Sequence, residues 1–147
     1  MKREFGFYVL IVLGVLLTAL LVMGQTSSLF NYEAAVSLGL QESVEEIGEV
    51  GIAWAKGFAF GDSLIYIPLL VFGIVGLWYG RRWGRYCMFA ALAITAYWPI
   101  VNLYAVFVGA DLFALSSSKY VVYSIVLPFV SVYGFWGMWY LYGMGRK

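Results

Sequence analysis

The stretch from Phe58 to Arg85, FAFGDSLIYIPLLVFGIVGLWYGRRWGR, decides the fold. From Phe58 to Gly80 its single charge is Asp62, and a hydrocarbon layer about 30 Å thick takes roughly 20 helical residues to cross. The run closes on three arginines, Arg81, Arg82 and Arg85. An apolar segment with one carboxylate near one end and a basic cluster at the other reads as a membrane-spanning helix entering a tight turn.

Composition extends that reading to the whole chain. The protein is 63% hydrophobic and 12% charged with a mean hydropathy of +0.87, against roughly 45 to 50% and 25% in a soluble domain. At 147 residues it has room for about four spans and no separate soluble domain, so residues 1–147 are expected to form one transmembrane domain. The expected fold is an all-α integral membrane protein, a four-helix transmembrane bundle with an extracytoplasmic amphipathic helix between the first and second spans. The spans are expected at about 5–24, 58–80, 86–108 and 120–142, with an acidic loop over 25–57. A cleaved signal peptide is the rival reading of the first segment, but its apolar run is longer than the roughly 7 to 15 residues such a peptide uses.

In the loop, Val36, Leu40, Val44, Ile47, Val50 and Trp54 recur at steps of three or four, with Glu42, Glu45, Glu46 and Glu49 on the other face. Interfacial helices that bind anionic lipid carry Lys and Arg instead, so this segment is expected to lie against the bundle or a partner. Lys2, Arg3, Arg81, Arg82, Arg85, Arg146 and Lys147 fall on one side of the expected topology, and Lys56 and Lys119 on the other. By the positive-inside rule both termini are cytoplasmic, in a multi-pass protein of the cell membrane.

One cysteine and no histidine argue against a metal, haem or disulfide framework, and the divided charges argue against nucleic acid. No metal site and no cofactor are expected.

Each of the last three spans holds one proline, Pro68, Pro99 and Pro128, roughly 12 to 17 Å from the outer end at 1.5 Å per residue. Three kinks in one layer would part the outer halves of the helices. Thr95, Pro99 and Asn102 share a helix face, as do Ser124, Pro128 and Ser131, and Asp62 and Tyr66 are spaced i, i+4. The expected ligand-binding cluster is Asp62, Tyr66, Asn102 and Ser124, with Tyr97, Tyr104 and Tyr123 as walls. An ionised carboxylate in hydrocarbon is costly, so Asp62 is expected to face the interior or water.

These features suggest a small polytopic binding or accessory protein, with an outward pocket for an apolar or amphipathic ligand or a place in a larger membrane complex. The expected partners are membrane lipids, an apolar small molecule, and a membrane protein or a second copy of the chain. A proton- or ion-coupled transporter working as a homo-oligomer is the alternative, and a lipid-modifying enzyme the third reading. A single strong acid gives little for acid–base chemistry, so an enzyme is the weaker expectation.

Overall fold

The computed structural model describes residues 4–144, and among these every regular element is helical. Four helices are long and apolar enough to cross a membrane: α1 (Phe5–Phe30), α3 (Val44–Trp78), α4 (Arg82–Val108) and α5 (Ser117–Met144). A short α2 (Tyr32–Ser37) stands between the first two. Lys2, Arg3, Arg146 and Lys147, used above for the charge count, lie outside the described residues. Below, the two ends of the bundle are called the arginine end, at Gly80–Arg85, and the acidic end, at 25–57.

The helices run longer than the sequence pattern predicts. α1 continues past residue 24 to Phe30, and α3 begins at Val44 rather than 58, so the back half of the acidic segment and the second span form one element. The single amphipathic helix expected from Val36 to Trp54 does not form as such. Gly39 and Gly48 both adopt positive φ (70° and 69°), a region in which glycine alone bears no steric cost, and these two residues interrupt the pattern. Asn31 caps the start of α2, its Oδ1 accepting the Ala34 N–H at 3.0 Å.

Two turns are wider than α-helical. In α3, residues Asp62–Tyr66 form a π-helical stretch in which the Ile67 N–H donates to the Asp62 carbonyl, five residues back. Pro68 supplies the cause: it has no N–H and its ring collides with the carbonyl four residues earlier, so the ladder widens just ahead of it. In α1, Val22–Thr26 is widened in the same way, with Ser27 N–H donating to the Val22 carbonyl. The two widened turns lie side by side, joined by Thr26 Oγ1 and Ser63 Oγ at 2.9 Å.

Packing toward the arginine end depends on glycine. A Cβ added at Gly84 of α4 would fall 2.3 Å from the Gly76 carbonyl carbon of α3, and one at Gly73 would fall 2.8 Å from Met88 Cα. Likewise a Cβ at Gly134 of α5 would meet Ala96 N at 2.6 Å. Backbone therefore touches backbone along α3–α4 and α4–α5, as small residues permit in membrane bundles. Phe7, Leu10 and Leu17 of α1 join the core, and Tyr133 Oη donates to the Leu10 carbonyl at 2.9 Å. Gly14 is buried beneath that hydroxyl, and Thr18 Oγ1 donates to the Gly14 carbonyl at 2.8 Å, which fits a close contact on this side of α1.

Between α4 and α5 this packing stops at the level of the prolines. On α4 the buried residues run from Gly84 to Pro99 and none follows within the helix; on α5 none precedes Leu127. Ser131 is buried and its Oγ donates to the Ala96 carbonyl at 2.7 Å, whereas Ser124, seven residues earlier and so on the same face, is exposed. Beyond Pro99 and Pro128, α4 no longer covers that face of α5.

The acidic segment reaches across to α5 at this looser end. Lys119 Nζ donates to Glu46 Oε2 at 2.6 Å, the same oxygen that accepts the Ser43 N–H at 2.9 Å. Tyr123 Oη donates to Glu42 Oε1, Tyr32 Oη to the Glu42 carbonyl at 3.0 Å, and the Ala114 N–H to the Glu46 carbonyl at 2.9 Å. Burial, then Glu42 and Glu46, push the Tyr32 phenol up to about 12, so it remains a donor at any ordinary pH. Lys56 lies over its ring, 5.5 Å from the centroid.

Candidate functional site

Asp62 opens the widened turn of α3, and its carboxylate makes no hydrogen bond or ion pair with any described residue. It lies 18 residues before Gly80, roughly 27 Å from the arginine end at 1.5 Å per residue. One turn closer to the arginine end, Tyr66 is 1% exposed and its hydroxyl pairs with Thr95 Oγ1 at 2.6 Å. Thr95 in turn donates to the Ala91 carbonyl of its own helix at 2.8 Å, so the tyrosine hydroxyl is the remaining donor of this chain of bonds. Trp98 Nε1 is buried beside the same hydroxyl.

The other members of the expected cluster are placed differently. Asn102 is half-buried and turns its amide back to the Trp98 carbonyl at 2.9 Å, while exposed Ser124 donates to the Tyr120 carbonyl at 2.8 Å. No hydrogen bond joins either of them to Asp62. Inside an apolar helix these side chains satisfy themselves on the carbonyl four residues back when no partner is near. Tyr97 and Tyr104 are 67% and 68% exposed on α4, so they face away from the bundle instead of lining its interior. Tyr123 is half-buried and committed to Glu42. Of the three prolines, Pro99 is buried, Pro68 half-buried and Pro128 exposed.

Comparison with protein-family models, curated proteins and solved structures gives no match.

Several polar residues near Asp62 escape the sequence reading. Thr26 and Ser63 join the two widened turns, and Gln41, 5% exposed, sends its Nε2 to the Gly24 carbonyl inside the first of them at 3.0 Å. Ser28 Oγ donates to the Gln25 carbonyl at 2.7 Å. The available signal was the run Gln25–Ser28 directly after an uncharged span, together with Ser63 beside Asp62. Helical periodicity over either span alone does not bring them together, because they sit on separate elements.

Gln41 thus pins the acidic segment to the widened turn of α1. Gln41→Met keeps the length of the side chain and removes its donor, so it is expected to cost roughly 1 kcal/mol, the usual net worth of one buried hydrogen bond. Denaturant unfolding in mild detergent checks this. Equal midpoints for the two proteins would show that the amide bond holds nothing.

Proposed function

We propose that this chain is a small polytopic membrane protein of the binding or accessory kind, in which Asp62 anchors an amphipathic ligand. The observation that carries the reading is the Asp62 carboxylate, without a hydrogen bond or ion pair among the described residues, at the level where packing between α4 and α5 ends. A carboxylate in or near hydrocarbon is kept despite its cost where it faces a cavity, a partner or a ligand. Beside it stands the Thr26–Ser63 hydroxyl pair, and one turn toward the arginine end the Tyr66–Thr95 pair. Toward the acidic end α4 and α5 bury no residues of their own, and the segment bearing Glu42 and Glu46 is fastened to α5 there.

This arrangement suits a molecule whose apolar part lies between the helices and whose head donates a hydrogen bond or positive charge to the acid. Catalysis has less support. Among the described residues no second acid or base converges on Asp62, since Tyr66 is spent on Thr95 and Asn102 on its own backbone.

Native mass spectrometry of protein purified in mild detergent tests the proposal. The wild type is expected to carry a small-molecule adduct that Asp62→Asn lacks, with Asp62→Asn unfolding no earlier than the ligand-free wild type. An adduct retained in Asp62→Asn, or a wild type released bare from the gentlest detergent, would sink it. A bound polypeptide in place of a small molecule would make the chain a subunit and Asp62 a contact between proteins.

A further inference from the structure

The turn from α3 to α4 holds three arginines in a fixed frame. Gly80 has φ of 66°, its N–H donates to the Leu77 carbonyl at 3.0 Å, and the Arg81 N–H donates to the Gly76 carbonyl at 2.7 Å. This pair of bonds is the Schellman closure of a helix, and it satisfies the carbonyl end of α3 with backbone alone. The close approach of Gly76 and Gly84 fixes the start of α4 against that closure.

The amide end of α4 is not closed in the same way. Arg81 occupies the N-cap position with no side-chain hydrogen bond, and the first turn contains no acidic residue. Arg81, Arg82 and Arg85 make no ion pair with any described residue. Three cations thus crowd the positive pole of a 27-residue helix, where cationic side chains are unfavourable and anions are favoured. Arg82 and Arg85 stand at i, i+3 and so on one face, and guanidinium groups grip phosphate oxygens two at a time. A basic count at this end would satisfy topology with the charges anywhere on the turn or beyond it, and it does not require them around an uncapped amide end.

The flanking residues indicate which phosphate. Trp78, Tyr79, Trp83 and Tyr86 are all exposed around the arginines, at the end of helices long and apolar enough to cross a membrane. Exposed tryptophan and tyrosine at such a level is the pattern of side chains resting among lipid head groups. We propose that Arg81, Arg82 and Arg85, with the open amide end of α4, form a binding site for the phosphate of an anionic membrane lipid. The site does not depend on the role given to Asp62.

Purified protein in mild detergent is offered phosphatidylglycerol or phosphatidylcholine, and bound lipid is counted by native mass spectrometry. The wild type is expected to prefer the anionic lipid by at least about tenfold, given roughly fivefold per basic residue near an anionic surface. In R81Q/R82Q/R85Q the preference is expected to fall to near one, while K119Q at the opposite end keeps it. R81K/R82K/R85K preserves the charge and is expected to recover only part, which separates a phosphate grip from simple charge. An undiminished preference in the triple glutamine variant, or full recovery in the triple lysine variant, would overturn the proposal. So would inorganic phosphate displacing the lipid at equal concentration, since the site would then take a free anion. Should the triple glutamine variant not fold, R82Q alone, at an exposed position, is expected to lower the preference several-fold, and no change there counts equally against the site.

Discussion

Gly84→Leu is expected to separate α3 from α4 and to lower the unfolding free energy by at least about 3 kcal/mol, at the upper end of what overpacking costs. The reason is the distance already described: even a single Cβ at 84 would sit 2.3 to 2.5 Å from the carbonyl carbon and Cα of Gly76 and the nitrogen of Leu77. These are backbone atoms, which no change of rotamer can move aside. Leucine would push the two helices apart, and with them the Schellman turn and the Tyr66–Thr95 bond that links the same pair farther along. Gly57→Ala is the matched control, because nothing stands within 4 Å of a Cβ there and alanine favours the helix. Denaturant titration in detergent, followed by tryptophan fluorescence, should show a large downward shift for Gly84→Leu and no loss for Gly57→Ala. Coincident curves for Gly84→Leu and wild type would mean that the helices do not meet there.

That contact was only half legible in the sequence. Gly76 and Gly80 suggest close packing by their spacing, but Gly80 is spent on the turn, while the partner of Gly76 is Gly84, eight residues on and past the arginines. A helix-face pattern cannot show this, because the pairing crosses a hairpin. The number of helices long and apolar enough to cross a membrane was legible because hydropathy over twenty residues is a strong signal that needs no tertiary information. On α4 and α5 burial ends near Pro99 and Pro128. The rotation of each helix about its axis was not. Thr95 and Ser131 reach the interior, yet Tyr97 and Tyr104 face outward, since glycines 134 and 137 decide which side of α5 approaches α4. In a membrane helix the lipid-facing and core-facing stripes are almost equally apolar, so periodicity carries little information on rotation. The widened turns were missed for another reason: Pro68 announces a break in the ladder but not whether it is met by a kink or by a π turn.

Asp62→Leu is expected to stabilise the bundle by roughly 1–2 kcal/mol and at the same time to abolish the adduct. An acid that served the fold would be held by it, through a cap, an ion pair or a hydrogen bond, and Asp62 has none of these among the described residues. Its removal therefore breaks no protein contact. It relieves the cost of keeping a carboxylate in or near hydrocarbon, about 2.5–3.5 kcal/mol at a helix centre and less toward the end, where Asp62 lies. Leucine also favours the helix more than aspartate does, although the widened turn set by Pro68 remains. Stability kept below what the chain can reach is the usual mark of a residue retained for binding. Unfolding midpoints and native mass spectra of the same preparations give both readouts. A higher midpoint with no adduct fits an anchor; a lower midpoint would show that the acid holds the widened turns of α1 and α3 together, and the ligand would need another home.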